Sequence, residues 1–467
     1  MELLKEFLTI PWSIFKFPNG LPMLNTTSYY YIGFALIVFL CSLIFRRKAR
    51  AIILLIADFV FLYSFGIWHF IIALSVSLIA YLASFFIKKK YVLWIMILAY
   101  SPLLVVFKLG LSFSPLGISF YIFMIISYLV DVRKGKIELE KNIINYLNYV
   151  LFFPCITAGP INRADKFLKE LKNDKTWEYV DRKNGGFQLM YGIFEKLVFC
   201  DFVAQIVSKT LTLETTGLTL LIGVFLYSFQ IYLDFDSYSN IAIGTARLVG
   251  FHIDKNFNSP YLAYNLKDFW RRWHISLSTW LRDYIYIPLG GSRKGQGRKY
   301  LNLIIVFAIS ALWHGFNYNY LLWGLLHALI QIVEDLFEKI THINDIKFLL
   351  PIRIIFNFVL VSFIWLVFKE TNLSNVLIML NNLVKPTGTV LLPDVTRNET
   401  VWLIIVLLTV IITDILRTSV DVYKVFNSHW SLFLIRWTVY ILMIIVFLVF
   451  GVYGGGFEAG DFIYRWF

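Results

Sequence analysis

The stretch WHFIIALSVSLIAYLASFFI, residues 68–87, is twenty residues long and contains no Asp, Glu, Lys or Arg. A helix needs about 20 mostly apolar residues to cross the hydrocarbon core of a bilayer, so this stretch is long enough to span a membrane. The whole composition agrees, because 58% of the 467 residues are hydrophobic and only 16% are charged, whereas about 25% of a soluble domain is charged. The sequence therefore predicts an all-α, polytopic integral membrane protein.

Apolar runs of similar character recur along the chain and set the expected number of spans. We expect about 10–13 membrane-embedded helices, together with interfacial helices, in a single domain that covers residues 1–467. The clearest runs cover residues 29–45, 51–65, 68–87, 91–107, 116–130, 218–233, 301–313, 321–332, 354–368, 401–415 and 432–452, and less uniform runs cover 144–155 and 187–207.

The net charge of +13 can indicate either a nucleic-acid partner or a membrane topology. Lys and Arg accumulate in the cytoplasmic loops of membrane proteins. The basic clusters at 46–50, 88–90 and 133–136 follow the first, third and fifth apolar runs, so alternating passes place all three on one side. We therefore predict an N-terminus outside, these loops inside, and no nucleic-acid partner.

The cysteines and the N-terminal segment indicate no further chemistry. Cys41, Cys155 and Cys200 lie inside apolar runs without paired spacing, so they predict neither a disulfide framework nor a metal site. Residues 1–28 form an N-terminal extension without the pattern of a removable signal peptide. We expect no metal and no bound cofactor.

Residues 233–315 are unusually polar for a membrane protein and form the candidate catalytic segment. Asp234 and Asp236 end an apolar run. Ionisable groups inside a membrane are costly and usually face a cavity or pair with one another, so these carboxylates can line a polar funnel. At a membrane interface water would solvate them instead, and the sequence leaves both interpretations open.

Residues 268–287 predict one interfacial helix. Apolar and aromatic side chains recur there at three- and four-residue spacing, and most charged side chains fall elsewhere around the helix. On a continuous helix Arg271, His274 and Ser278 share a face and can present a polar trio to a pocket. The aromatic stripe consists of Trp270, Trp273, Leu277, Trp280, Leu281 and Tyr284.

Two further features follow this helix. The segment PLGGSRKG, residues 288–295, is a basic loop whose Arg293 and Lys294 can hold phosphate groups, although it lacks the spacing of a nucleotide-hydrolysing P-loop. A positive-inside connector explains the same charges. Farther on, His314 ends an apolar run. An imidazole can exchange a proton near neutral pH, which suits a catalytic base, and a structural histidine is the alternative.

Several longer motifs resemble those of the membrane-bound O-acyltransferase superfamily. These motifs are DFWRRWHISLS at 268–278, RDY at 282–284, PLGGSR at 288–293 and ALWHG at 311–315. Other segments are similar to the bacterial alginate O-acetyltransferase branch, namely PLGISFY at 115–121, SYLVDV at 127–132, FP at 153–154, AGPI at 158–161 and FIY at 462–464. The resemblance as a whole extends over nearly all of the chain from about residue 29 onward.

This resemblance implies a ring of tilted helices around a central polar funnel in a bacterial cytoplasmic membrane. It places the family's catalytic histidine at His314 and its second invariant histidine at His274. His314 would be the general base that activates an acceptor hydroxyl, and His274 or a backbone donor would stabilise the oxyanion. The donor substrate would be acetyl-coenzyme A, approaching from the cytoplasm. Its expected binding residues are Arg271, Arg272, Ser278, Arg282, Arg293 and Lys294.

The resemblance also implies partners and alternatives. In this branch a separate extracytoplasmic protein with a serine-hydrolase-like acetyltransferase domain delivers the acetyl group to a polysaccharide, and residues 385–399 are a candidate docking loop. Membrane lipids are the other expected partners. D-Alanyl transfer to teichoic acid is the nearest alternative within the superfamily, although the proteins that perform it have a different sequence in the segment between the two histidines. Outside the superfamily, a lipid-linked sugar transporter would move its substrate chemically unchanged, and a structural scaffold of an export complex would tolerate histidine substitutions.

Overall fold

The computed structural model describes residues 24–45, 47–108, 114–157, 159–173, 178–343, 346–388, 391–392, 394–419 and 433–451. Every regular element within these ranges is a helix, and none of the ranges contains a strand. The all-α prediction is therefore confirmed. Most of the N-terminal extension, Arg46, Ala158 and the C-terminal FIY motif lie outside the described residues.

Packing divides the chain into two compact units. The first takes in the described residues up to 193 together with 238–254, and the second takes in 194–237 and the described residues from 255 onward. One of the boundaries, between residues 237 and 238, falls within the helix Gly217–Leu248. The arrangement of the helices as one domain with a ring around a central funnel stays a prediction.

The first unit has a buried core of aromatic and aliphatic side chains with a few hydrogen-bonded polar groups. The guanidinium of Arg50 donates to the carbonyl oxygens of Val249 and Gly250 at 3.2 and 3.0 Å and lies 4.8 Å from the centre of the Phe251 ring. A buried charge is tolerated when it is hydrogen-bonded in this way. The helices are α1 (Tyr29–Ile44), α2 (Arg47–Phe65), α3 (Ile67–Ser84), α4 (Lys90–Lys108), α5 (Ile118–Arg133), α6 (Ile143–Leu151), α7 (Ala164–Lys172) and α8 (Tyr179–Phe194).

The second unit is built around buried tryptophans. The rings of Trp273 and Trp365 lie 4.9 Å apart, and those of Trp323 and Trp365 lie 6.0 Å apart. Gly324 lets two helices pack closely, because a Cβ at this position would lie 2.7 Å from the Phe307 carbonyl oxygen. The helices are a π-helical turn (Glu195–Cys200), α9 (Asp201–Thr210), α10 (Gly217–Leu248, of which the residues from 238 belong to the first unit), α11 (Leu266–Arg272), α12 (Ile275–Leu281), a second π-helical turn (Arg282–Tyr286), α13 (Gln296–His314), α14 (Tyr318–Thr341), α15 (Leu350–Lys369), α16 (Leu373–Leu383), α17 (Arg397–Ser419) and α18 (Phe433–Phe450).

Six segments in the described part of the chain are long and apolar enough to cross a membrane. A multi-pass membrane protein is therefore confirmed, whereas the total of about 10–13 embedded helices and their orientation stay predictions. Helix α13 is not among the six, and its first turn carries Arg298 and Lys299. The six segments are Ile67–Ser84, Gly217–Leu248, Tyr318–Thr341, Lys347–Lys369, Arg397–Ser419 and Phe433–Phe450.

Candidate active site

His314 is the last residue of α13 and is buried among aromatic rings. The rings of Trp323 and Phe368 meet its imidazole edge-to-face, with centroids 5.1 and 5.0 Å away. Gly315 ends the helix and lets Tyr320 approach, because a Cβ at position 315 would lie 2.8 Å from the tyrosine ring. The predicted catalytic histidine is therefore placed where the protein, rather than bulk water, sets its surroundings.

The prediction of one helix over residues 268–287 is wrong. The chain instead forms the short helices α11 and α12, which Trp273 and His274 separate. His274 has φ +41° and ψ +55°, a left-handed conformation that costs about 1–3 kcal/mol for a residue with a side chain and that histidine adopts more often than most. A backbone hydrogen bond from Ile275 to the Asn256 carbonyl oxygen, 2.8 Å long, holds the break in place.

Because the helix is interrupted, Arg271, His274 and Ser278 do not present the single polar face that the sequence predicted. Arg271 and Ser278 line a cavity, whereas His274 is 1% exposed. The His274 Nδ1 atom lies 3.2 Å from Asn256 Oδ1. Burial lowers the pKa of His274 to about 3, so its imidazole is neutral near pH 7.

The aromatic stripe of this region also differs from the prediction of a membrane-facing surface. Trp273 is 1% exposed and Trp280 is 4% exposed. The Trp273 ring packs against Phe257 at 5.0 Å and Trp365 at 4.9 Å. The periodicity identified an apolar face correctly, but that face packs inside the second unit.

Trp313 lies beside both histidines. Its ring centroid is 4.6 Å from that of His314 and 6.2 Å from that of His274, with an edge-to-face arrangement in both cases. Phe235 contacts His274 from another direction at 4.6 Å. The structure therefore brings two histidines that are 40 residues apart in the sequence into one aromatic cluster.

A cavity of about 680 Å³ lies beside α11, α12, α13 and α14, and three of the predicted donor-binding residues, Arg271, Ser278 and Arg282, line it. Along α13 the cavity extends to Ser310, which precedes His314 by four residues. Residues four apart lie on the same side of a helix, separated by about 6 Å of axial rise. The cavity therefore ends about one helical turn from His314.

The other three predicted donor-binding residues do not line this cavity within the described residues. The Nε–H group of Arg272 donates to the Asp268 carboxylate at 2.9 Å. Arg293 and Lys294 lie exposed in the loop that follows the second π-helical turn. Their roles in donor binding stay predictions.

Asp234 and Asp236 are both buried in the second unit, at 1% and 5% exposure. Lys196 Nζ lies 2.7 Å from Asp234 and 2.8 Å from Asp201, and Arg417 lies 2.6 Å from Asp236. Of the two interpretations that the sequence left open, the structure agrees with buried, paired carboxylates. Whether they line a funnel stays a prediction.

Several residues near the site were not predicted from the sequence. Asn256 and Arg417 gave no signal in the sequence, because their partners are distant along the chain. Lys196 did give one, since a lysine inside an apolar run needs a partner. His327 is another buried residue, and its Nδ1 atom accepts a hydrogen bond of 3.3 Å from the indole of Trp270, which lines the cavity. In the described ranges no group of three or more His, Cys, Asp or Glu side chains can hold a metal ion.

The segment that carries both histidines and the cavity also matches a known protein family. The model of the MBOAT, membrane-bound O-acyltransferase family, matches residues 139–376, which is just over half of the chain. The chain belongs to the membrane-bound O-acyltransferase family. The family recognised from the motifs at 268–278 and 311–315 is therefore confirmed.

Individual members of the family are similar over comparable lengths. A probable alginate O-acetylase AlgI of Pseudomonas putida is 39% identical over 261 residues, which cover 56% of this chain and 53% of that protein. A peptidoglycan O-acetyltransferase of Helicobacter pylori is 34% identical over 307 residues, 59% of this chain and 57% of that protein. A teichoic acid D-alanyltransferase of Bacillus subtilis is 30% identical over 239 residues, 48% of this chain and 60% of that protein. The chain thus spans about half the length of the curated relatives that it matches, and the order of identities agrees with the alginate O-acetyltransferase-like branch.

Proposed function

We propose that this family member is an O-acyltransferase that passes an acetyl group from a cytoplasmic thioester donor across the membrane for the O-acetylation of an extracytoplasmic polysaccharide. The cavity that extends from Arg271 and Arg282 to Ser310, one turn from His314, is the main support for this proposal. Family membership supports acyl transfer. The names of the relatives that are 39% and 34% identical support acetyl as the acyl group.

The cavity suits a long thioester donor such as acetyl-coenzyme A. Its volume of about 680 Å³ lies within the usual range of about 300–1,000 Å³ for small-molecule sites. Basic side chains outnumber acidic ones among the charged residues that line the cavity, so the cavity attracts phosphate groups. The apolar side chains along α13 suit the uncharged arm of the donor, which carries the acetyl group. The charged residues are Lys267, Arg271, Arg282, Lys299, Arg353, Glu334, Asp335 and Glu338.

His314 would act as the general base of the transfer. It would take the proton of an acceptor hydroxyl while the oxygen attacks the thioester carbonyl carbon. The new C–O bond forms, the C–S bond breaks, and the leaving thiolate receives the proton from His314. Positioned proton transfer of this kind contributes about 10²–10⁴-fold to a rate. His274, which contacts the same Trp313 ring, is the second residue to which we assign a catalytic role.

We expect the acyl group to reach its polysaccharide through a partner. A separate extracytoplasmic protein with a serine-hydrolase-like acetyltransferase domain would receive the acetyl group. Its docking surface would include residues 385–399, of which the structure describes 385–388, 391–392 and 394–399. The protein would act in a bacterial cytoplasmic membrane, in contact with its lipids.

The proposal is tested with native membranes that are supplied with acetyl-coenzyme A carrying a labelled acetyl group. His314→Ala should abolish polysaccharide acetylation, and His274→Ala should lower its rate substantially. His252→Ala is the matched control, because His252 lies in the first unit and pairs with Glu170 at 3.3 Å. Wild-type acetylation by His314→Ala at equal expression would refute the general-base role.

D-Alanyl transfer to teichoic acid is the second candidate, because the Bacillus subtilis D-alanyltransferase is 30% identical. It differs from the first candidate in both donor and acceptor. Membranes that use a D-alanyl thioester on a carrier protein, and do not use acetyl-coenzyme A, would favour this alternative. Transport of a sugar without any acyl transfer would exclude both candidates.

A further inference from the structure

The side chain of Asn256 is 1% exposed and touches three groups of the turn that carries His274. Its Oδ1 atom lies 3.2 Å from the backbone nitrogen of Ser276, 2.9 Å from the Ser276 hydroxyl and 3.2 Å from His274 Nδ1. A backbone N–H group can only donate. The atom that faces it must therefore be the amide oxygen of Asn256 rather than its nitrogen.

An amide oxygen can only accept hydrogen bonds, so this assignment fixes the protonation of His274. The Nδ1 atom must carry a hydrogen and donate it to Asn256. Because the buried imidazole is neutral, the other ring nitrogen, Nε2, carries no hydrogen and presents a lone pair. The tautomer of His274 thus follows from a neighbouring backbone N–H group that has only one possible role.

The Nε2 atom of His274 is buried and has no hydrogen-bond partner among the described residues of the chain. Buried polar atoms are nearly always satisfied, and exceptions occur where a site is completed by another molecule. The ring is held by Phe235 and Trp313. The unsatisfied acceptor therefore belongs to the same aromatic cluster as His314.

The backbone of Asn256 holds the same turn as its side chain. Its carbonyl oxygen accepts a hydrogen bond of 2.8 Å from Ile275 N–H, directly after the left-handed His274. Asn256 therefore fixes both the position of the imidazole and the nitrogen that it presents.

We propose, resting on the proposed function, that Asn256 is a positioning residue that locks His274 in the Nδ1–H tautomer, so that the Nε2 lone pair accepts a hydrogen bond from a donor group of the acyl acceptor other than the hydroxyl that His314 deprotonates. In this arrangement His274 orients the acceptor whose hydroxyl is the nucleophile. A neutral imidazole of this tautomer has no Nε2–H group to offer, so the oxyanion is stabilised by a different donor.

The tautomer is measured by nitrogen NMR on the full-length protein in lipid nanodiscs, with ¹⁵N only in histidine. The signals of His274 are identified by their absence in His274→Gln. Wild type should show a protonated Nδ1 and an unprotonated Nε2. Asn256→Asp keeps an acceptor oxygen and should keep this pattern, whereas Asn256→Leu should lose it. A protonated Nε2 in the wild type would overturn the proposal even if neither Asn256 variant folds.

Acetylation in native membranes tests the role of the tautomer. Asn256→Leu should lower the rate about 10- to 100-fold, by analogy with the loss of the partner that orients a metal-binding histidine, without changing the KM for acetyl-coenzyme A. Asn256→Asp should retain most of the activity at neutral pH. Its rate should fall at acidic pH, because the new carboxylate raises the pKa of His274 and a protonated Nε2 has no lone pair to accept a hydrogen bond. Asn382→Leu is the control, since Asn382 is also buried in the second unit and donates to the Leu213 carbonyl oxygen at 2.9 Å. It should change neither the spectrum nor the rate.

The two measurements separate the possible failures. A lost tautomer with an unchanged rate, or an effect confined to the KM for acetyl-coenzyme A, would overturn the role of Nε2. The predicted spectra without any acetyl transfer in the wild type would refute the proposed function while upholding the tautomer.

Discussion

Lys196 neutralises two buried carboxylates, so its replacement by methionine is expected to destabilise the second unit strongly. Its Nζ atom lies 2.8 Å from Asp201 and 2.7 Å from Asp234, and all three side chains are at most 4% exposed. Methionine retains most of the side-chain volume but removes the cation. Breaking a buried ion pair costs about 3–5 kcal/mol. We expect a loss within this range rather than twice as much, because protonation of one carboxylate relieves their mutual repulsion.

The matched control is Lys209→Met, which removes a lysine from an exposed pair. Lys209 lies 3.4 Å from Glu399, and the two side chains are 32% and 30% exposed. Exposed pairs contribute only about 0–1 kcal/mol. The free energy of unfolding is measured for both variants in mixed micelles, with tryptophan fluorescence as the signal.

A rescue experiment distinguishes the loss of charge balance from the loss of packing. Lys196→Met combined with Asp201→Asn and Asp234→Asn removes all three charges. Because a neutral replacement of a buried ionic group is often tolerated, this triple variant should recover most of the lost free energy. If Lys196→Met is as stable as Lys209→Met, or if the triple variant is no more stable than Lys196→Met, the reasoning about buried charge is wrong.

Three further predictions concern the cavity and the histidine. Arg271→Ala should raise the KM for acetyl-coenzyme A with little change in kcat, most clearly at low salt. Arg182→Ala, in the first unit, should leave the KM unchanged; equal effects would place the donor elsewhere. Ser310→Phe should fill the inner end of the cavity and misplace the donor, which should lower the rate of acyl transfer roughly 10-fold or more. The larger side chain should also cost about 1–3 kcal/mol of stability through overpacking. A fully active variant would contradict the proposal that the donor reaches His314 through this cavity. Folding lowers the pKa of His274 from 6.5 to about 3. Below about pH 6.5 the unfolded chain therefore takes up a proton that the folded chain does not. The free energy of unfolding should fall as the pH drops below about 6.5, by up to about 1.4 kcal/mol per pH unit. His274→Gln should reduce the measured slope between pH 4 and 6 by about this amount, and an unchanged slope would assign it to other groups.

The apolar runs predicted the helices well because membrane spans depend on local composition. Residues 68–87 correspond closely to Ile67–Ser84, and residues 401–415 lie within Arg397–Ser419. Lipid requires every backbone polar group to be bonded within the segment, so a long apolar run has few alternatives to a helix.

The break at His274 could not be predicted in the same way. The spacing of Trp270, Trp273 and Leu277 fits a continuous helix, and those residues do form an apolar face. The left-handed backbone at His274 is stabilised by Asn256, which lies 18 residues earlier. Helical periodicity contains no information about such a partner.

The candidate site was predictable only where a motif marked it. His314 was a candidate because it ends an apolar run, and His274 because of its spacing to Arg271 and Ser278, but their catalytic roles came from the family resemblance. Three of the six predicted donor-binding residues line the cavity. The sequence could not show that Arg293 and Lys294 lie outside it, because a cationic loop has the same composition whether it binds phosphate or solvent. Asp234 and Lys196 were separately visible as charges in apolar runs, but their pairing depends on how two helices pack.

Acyl transfer at His314 between a thioester on one side and a hydroxyl on the other is tested most directly in proteoliposomes of known orientation. Labelled acetyl-coenzyme A is supplied only on the cytoplasmic side, and the polysaccharide with the partner acetyltransferase only on the opposite side. We predict labelled polysaccharide with the wild type and none with His314→Ala. Label transfer by His314→Ala, or transfer by the wild type only when donor and acceptor share one side, would contradict the account.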